Sequence, residues 1–383
     1  MLGLSLTSGF KRDDVVPGSI TISKSKLLND GTVREGIISL GDGKPISFDK
    51  NIWYTFGDGD GQEKYKSRGA SKDSGIKCPQ MKLILSEIQF FNLYWDPKEV
   101  PNPICLYVGA APGHHLLIMK ELYPHFRYVL YDPSNFDSEL MKESQKSGSN
   151  IEIRQQYFTD QTATEWSGRN DVFFLCDIRN RQYEEGKKNP LKELTTFEKI
   201  KKEEEDEKRN KRNEDIVEAD MKAQATWFKI IKPVRALLKF RPPYSYKFIL
   251  DKGVTRKYLD GVIYRQLWNG TRSTESRFVP HKDESERDWN ILAYEECLYY
   301  YNNVVRNDFH FINILNTSKP IISYELGLNN KFNSVCTVSI LRDYIVKFGE
   351  NGTEEEILNL FRGVEQVGCN EKTIKTLQNL APK

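Results

Sequence analysis

No apolar run in this 383-residue chain approaches the ~18 residues that a membrane-spanning helix needs, so no membrane partner is expected. The opening Met1-Leu2-Gly3-Leu4 has neither the basic flank nor the long apolar core of a secretory signal, and none is expected. Six cysteines, at positions 78, 105, 176, 297, 336 and 369, form no C-x-x-C pair. That scatter predicts reduced, mostly buried thiols in a cytosol-like compartment, with neither a disulfide framework nor a zinc site. On this reading the N-x-S/T triplets at Asn269, Asn316 and Asn351 are idle. No internal repeat is visible. A net charge of +2 does not by itself predict a nucleic-acid partner.

What is present is a globular composition, 38% hydrophobic and 29% charged, long enough for one large domain with additions or for two domains. The charge is unevenly placed. From Lys229 to Arg277 twelve basic residues face Asp251, Asp260 and Glu275, a local +9 that suits phosphate contacts or a solvated basic face. Residues 1–70 read as a small β meander: Ser19–Ser23 alternates, Asn29-Asp30-Gly31 turns, and Gly36–Leu40 runs into Gly41-Asp42-Gly43. From Cys78 onward, strands and helices alternate. Helical spacing covers Lys82–Tyr94 and about His114–Leu122. Strands are expected at Pro103–Val108, Arg127–Tyr131, Ile151–Phe158, Asp171–Leu175, Ala236–Phe240 and Tyr246–Leu250. The pattern predicts an α/β fold, a mostly parallel sheet with helices on both faces, spanning residues 77–383. About 183–215 is a charged run with almost no apolar residue after Ile200, read as an exposed, partly helical insertion held by opposite charges four apart. Helix resumes over Ala219–Ile231. After about Asn290 the chain reads as helical to its end, with a capping box at Thr353 and Glu356.

Val108-Gly109-Ala110-Ala111-Pro112-Gly113 leaves a strand and enters a helix, with Gly109 and Gly113 free to turn and to approach a ligand. Asp132, at the end of the next strand, is placed to accept both hydroxyls of an adenosine ribose. A dinucleotide or a plain turn would use similar glycines. The G-x-x-P-G spacing, however, departs from the G-x-G-x-x-G that cradles a pyrophosphate, and favours S-adenosylmethionine, which has no phosphate.

Four further stretches supply Lys82, Asp177, Lys239 and Glu275 in that order: Gln80–Leu83, Leu175–Arg179, Leu238–Arg241 and Ser273–Arg277. Taken singly these are ordinary solvated charges. Together they suit methyl transfer to a sugar hydroxyl, which needs the oxygen held in place and its proton removed as it attacks. A lysine serves as base only if burial and neighbouring cations bring its pKa down from ~10.4. Neither a metal nor a covalent intermediate is required.

With these residues in view, the chain resembles the poxvirus family of cap-specific mRNA (nucleoside-2′-O-)methyltransferases, which double as the small, processivity subunit of the viral poly(A) polymerase. The resemblance covers about residues 77–380 apart from the insertion. It rests on Gln80-x-Lys82-Leu83-x-Leu85-x-Glu87, Tyr107-Val108-Gly109-x-Ala111-Pro112-Gly113-x-His115, Asp177-x-Arg179 and Tyr299-Tyr300-x-Asn302-x-Val304-Val305-Arg306-Asn307. It implies a Rossmann-like S-adenosylmethionine-dependent fold and a K-D-K-E tetrad with Lys239 as base. The implied donor contacts are Gln80, Tyr107, Gly109, Gly113, Asp132, Thr159 and Asp177. The family stacks the m7G cap between two aromatic rings and binds its edge with carboxylates, because the methylated base is cationic. Tyr244 matches one ring, Tyr65 is the candidate for the other, and Glu295 matches one acid. Arg179, Arg241 and Ser273 complete the expected cap and RNA contacts. The family's acid two residues past the first ring is Tyr246 here, and its arginine two residues past the donor-site acid is Ser134. The resemblance implies capped mRNA as substrate, and a poly(A) polymerase catalytic subunit or other transcription and capping proteins as partners. It also implies the cytoplasm of a host cell, or a virion, as the location. Two alternatives stay open: a 2′-O-methyltransferase of non-cap RNA, and a non-catalytic RNA-binding subunit of the polymerase.

Overall fold

The expected N-terminal alternation forms two antiparallel strands, β1 (Thr21–Leu27) and β2 (Val33–Ile37), paired from Ser23↔Ile37 to Leu27↔Val33. The computed structural model describes residues 21–27, 33–37, 64, 78–179, 196–244, 255–306, 309–312, 332–349 and 354–369. The expected turn at Asn29-Asp30-Gly31, the strand Tyr246–Leu250, Tyr65 and the cap residue Thr353 lie outside them.

Helix α1 (Pro79–Tyr94) carries proline at its start, where a missing N–H costs nothing, and buries Ile84, Leu85, Ile88 and Phe91. Alternating elements follow: β3 (Ile104–Val108), α2 (Leu116–Leu122), β4 (Arg127–Tyr131), α3 (Ser138–Ser144), β5 (Ile151–Arg154), α4 (Asp160–Glu165), β6 (Val172–Cys176), α5 (Thr196–Ile231) and β7 (Arg235–Phe240). β3 and β6 are buried at every position, as strands covered on both faces must be. Phe91, Trp95, Tyr123, Phe126 and Phe173 pack in edge-to-face and tilted pairs between α1 and the sheet.

Four strands that the sequence did not announce follow: β8 (Thr255–Leu259), β9 (Gly261–Tyr264), β10 (Ser276–Pro280) and β11 (Glu286–Asn290). The seven-stranded sheet has the order β5-β4-β3-β6-β7-β10-β9. Its first five strands are parallel, and β10 and β9 are antiparallel additions. β8 and β11 form a separate antiparallel pair.

The register decides where chemistry can occur. Val108 pairs with both Tyr131 and Cys176, and Cys176 pairs with Leu238. β3, β4 and β6 therefore end level, opposite Leu238 of β7; the residues that come next are Gly109, Asp132 and Asp177, and beside them Lys239, still within β7. The chain leaves β3 toward β4 on one side and returns to β6 on the other, so the crevice at this edge is the topological switch point.

Three expectations are corrected. The charged run is not separate from the helix after it: α5 is continuous for 36 residues from Thr196 to Ile231. Its Glu, Lys, Arg and Ala residues are strong helix formers, and the tertiary packing of its last turns anchors the rest. After α6 (Ile291–Tyr300) the chain is not wholly helical, because β12 (Phe309–Ile312) pairs with β1 before α7 (Phe332–Phe348) and α8 (Glu354–Gly368). Alternating Phe309, Phe311 and the branched Ile312 suit a strand. Finally, Cys105, Cys176, Cys297 and Cys336 are buried thiols as expected, but Cys78 and Cys369 form a disulfide. It ties the start of α1 to the end of α8, where Gly368 packs so closely that a Cβ would lie 2.8 Å from Met81. A bridge between residues 291 apart is invisible to local spacing.

Candidate active site

The glycine turn has the strained backbone that its residues predict. Gly109 (φ 80°) and Gly113 (φ 75°) both occupy the left-handed region. A Cβ on Gly109 would fall 2.8 Å from the Asp177 carbonyl carbon, and one on Gly113 would fall 2.7 Å from Leu140. The glycines thus bring β3's exit against β6's exit. Asp132 is fixed from both sides, its Oδ2 accepting from Ala111 N at 3.2 Å and its Oδ1 from Ser134 N at 2.8 Å. Each oxygen keeps a lone pair for a ligand hydroxyl. Thr159 caps α4, its hydroxyl accepting from Thr162 N at 3.2 Å. Tyr107 points under the turn, where its buried hydroxyl donates to Glu87 Oε1 at 2.9 Å. Gln80 reaches the same place from α1 and meets His115 at 3.0 Å. A crevice with bare glycine backbone, a carboxylate at the neighbouring strand end and no phosphate cradle fits an adenosine donor.

Beside it Lys82, Asp177, Lys239 and Glu275 converge. Lys239 Nζ lies 3.1 Å from Asp177 Oδ1 and 3.5 Å from Glu275 Oε1, and Lys82 Nζ lies 3.4 Å from Glu275 Oε2. Their positions follow from the topology. Asp177 continues β6, its N–H donating to Val108 O at 2.9 Å. Lys239 lies one residue past the last β6 pairing, and its backbone bonds instead to the buried amide of Gln224 on α5, at 3.1 and 3.2 Å. Across the antiparallel pair, Lys239 faces Arg277.

Arg277 is the cluster's fifth member, missed in the sequence because it reads as one more cation of the basic stretch from Lys229 to Arg277. It is buried, and its Nη1 donates to Asp177 Oδ1 at 2.7 Å. Burial opposes ionisation of Asp177, but Arg277 and then Lys239 outweigh it and hold the carboxyl well below the usual range. Glu275 likewise resists the cost of burial through Lys239 and Lys82, and falls to about 2. Burial lowers the Lys82 ammonium, with Glu275 opposing. Arg179 completes the ring: its guanidinium is buried and makes no hydrogen bond among the described residues, with Asp220 and Glu275 at 3.9 and 4.0 Å.

Of the other expected contacts, Arg241 and Tyr244 meet each other. The guanidinium lies 4.5 Å from the Tyr244 ring centroid and forks onto Glu214 at 2.9 and 2.6 Å. Glu214 also accepts from Tyr244 N at 2.8 Å. This acid belongs to the charged run read as an insertion, so the end of that run builds the site. No local signal separated Glu214 from its many charged neighbours. Glu295, on α6, is also buried. Burial raises it to about 7, with Arg241 opposing and Glu296 adding to the rise. Ser273 accepts from Glu275 N at 3.3 Å and so shapes the loop that delivers Glu275.

The mostly parallel sheet, its switch-point crevice and the ionic cluster beside it fit a Rossmann-like methyltransferase fold. Comparison with known proteins agrees. Residues 47–196 match the family described as the poly A polymerase regulatory subunit. That span holds Lys82, the glycine turn and Asp177, whereas Lys239 and Glu275 lie beyond it. The chain is also similar to the cap-specific mRNA (nucleoside-2′-O-)-methyltransferase of Myxoma virus (strain Lausanne). The two are 21% identical over 319 residues, covering 75% of this chain and 82% of that protein. The same figures hold for the protein of that name from Myxoma virus (strain Uriarra). The likeness of this chain to the poxvirus-type family, read first from its motifs, therefore holds across most of its length.

Proposed function

We propose that this chain is a cap-dependent mRNA 2′-O-methyltransferase, acting in the cytoplasm on the first transcribed nucleotide of m7G-capped RNA. The observation that carries the reading is the convergence of Lys82, Asp177, Lys239 and Glu275 at the edge where the glycine turn ends. Asp132, the turn from Gly109 to Gly113, Gln80 and the backbone around Asp177 would hold S-adenosylmethionine. Bound there, it supplies an electrophilic methyl on a sulfonium.

Lys239 accepts the 2′-hydroxyl proton as the oxygen attacks. Asp177 and Glu275 aim its nitrogen, while Arg277 keeps Asp177 ionised. Lys82 anchors the second oxygen of Glu275, so the carboxylate cannot rotate away. Arg179, with donors unspent, suits the phosphate that follows the acceptor ribose. Tyr244, with Arg241 over its ring, is the aromatic group assigned to the cap base, and Glu295 its edge acid. The family description favours a second role as a poly(A) polymerase subunit. A pure scaffold has no use for buried charges that cost stability, so that role adds to catalysis and does not replace it.

The test is Lys239→Ala, assayed for methyl transfer and for donor binding by calorimetry. Transfer should be lost while donor affinity stays within about threefold, and Lys239→Arg should not rescue, since guanidinium does not deprotonate at usable pH. Retention of more than about a tenth of the rate would place the base elsewhere.

A further inference from the structure

Gln224 lies on α5 with its whole surface buried. A long amide is taken out of water only where its hydrogen bonds are met. Both of the bonds it makes go to one residue: Oε1 accepts from Lys239 N at 3.1 Å, and Nε2 donates to Lys239 O at 3.2 Å. These partners fix which way the amide is turned, since only its oxygen can accept from an N–H and only its nitrogen can donate to a carbonyl. Pairing of β6 with β7 ends at Cys176↔Leu238, and Gln224 serves the next residue of β7 in place of a strand. The helix around it is packed. Val217, Met221, Phe228 and Ile231 are buried, and Trp227 Nε1 donates to Asp160 Oδ1 on α4 at 2.9 Å. The same helix brings Asp220 to 3.9 Å from Arg179 and Glu214 onto Arg241.

A lysine carries its charge on a flexible four-carbon stem, so its nitrogen is placed only if both ends of the residue are held. Asp177 and Glu275 hold the far end of Lys239, at 3.1 and 3.5 Å. Gln224 holds the near end. We propose that Gln224 is a positioning residue for methyl transfer, which pins the Lys239 backbone at its N–H and its carbonyl and so sets where the base meets the acceptor hydroxyl. The inference rests on the reading of Lys239 as base and deepens it, because it makes α5 the support of that base. Without the amide, two buried backbone groups lose their partners, and the strand end shifts to find others. A shift of that kind moves the nitrogen relative to the acceptor and leaves the donor crevice, built on β3 and β4, as it was.

The experiment measures methyl transfer by the full chain to a short m7GpppA-RNA, with donor affinity taken from calorimetry with S-adenosylhomocysteine. Gln224→Met keeps the length of the side chain and removes both bonds. Its kcat should fall more than about tenfold, while KM for the RNA and donor affinity stay within about threefold, the split expected when a base is misplaced and binding is not. Gln224→Asn, still an amide but one methylene short, should show the same split even where the Met variant folds poorly. Trp227→Phe is the control for packing. It removes the bond from α5 to Asp160 and leaves Lys239 untouched, so the melting temperature should fall with kcat held within about threefold. An unchanged kcat in the Gln224 variants would overturn the proposal, as would KM and donor affinity worsening in step with kcat, or an equal loss of kcat in Trp227→Phe. The two failures separate. An inactive native chain, or a Lys239→Ala variant that keeps its rate, removes the base itself, whereas a chain that depends on Lys239 and is indifferent to Gln224 removes only the role of the amide.

Discussion

Arg277→Gln is the most informative perturbation of the cluster. In the native chain Asp177 Oδ1 accepts from Arg277 at 2.7 Å and faces Lys239 Nζ at 3.1 Å, all in a buried setting. Removing one partner of a buried ion pair costs ~3–5 kcal/mol, because the remaining charge keeps its desolvation penalty. Lys239 offsets part of that here, so the lower end, about 3 kcal/mol, is expected. With a urea m-value of ~3 kcal/mol/M this moves the unfolding midpoint by about 1 M, read from tryptophan fluorescence. The pH dependence has a definite sign. Asp177 is depressed when folded, so its contribution is present above its unfolded pKa and is lost as pH falls through the folded one. Without Arg277 the folded pKa rises, and acid unfolding should begin at higher pH than in the native chain. Arg277→Lys, which restores charge but not the reach and planar geometry of the guanidinium, should lie between. A midpoint shift below about 0.3 M, or an unchanged acid transition, would refute the view of Arg277 as the cluster's main counter-charge.

Asp132→Ala should weaken S-adenosylhomocysteine binding by roughly tenfold to a hundredfold in calorimetry, since a charged hydrogen-bond partner is lost and the Ala111 turn loses its tether. Tyr244→Ala should narrow the preference for m7GpppA-RNA over GpppA-RNA in filter binding while affecting uncapped RNA less, because stacking on an aromatic is worth ~1–3 kcal/mol per base and a cationic base gains most. Glu365, whose Oε1 is buried without a hydrogen bond, is raised to about 7 by burial. It is neutral when folded and ionised when unfolded between about pH 4.5 and 7, so stability declines with pH across that window. Glu365→Gln should therefore raise the melting temperature more at pH 8 than at pH 5.

The parallel half of the fold was legible because buried strands such as Arg127–Tyr131 are short apolar runs with sharp ends. The antiparallel additions were not. Glu286-Arg287-Asp288-Trp289-Asn290 is mostly polar and exposed, and its strand character comes from pairing with β8. Asp177 and Lys239 were legible as residue types near the ends of neighbouring strands, because parallel register converts sequence position into proximity; Lys82 comes from α1 and Glu275 from the loop before β10. Arg277 and Glu214 were not, since their partners, Asp177 for the one and Arg241 and Tyr244 for the other, are brought near only by the fold. The Cys78–Cys369 bridge escaped for the same reason. The chemistry lies in contacts between residues far apart in the chain, 62 residues for Lys239 with Asp177 and 193 for Lys82 with Glu275.

The central claim is that the ionic cluster methylates a capped end. The direct measurement is transfer of labelled methyl from S-adenosylmethionine to one short RNA bearing m7GpppA, GpppA or pppA, followed by nuclease digestion to locate the label. The account predicts label on the 2′-oxygen of the first nucleotide, fastest with m7GpppA and absent in Lys239→Ala. Equal labelling of all three ends, or label on a base, would contradict it.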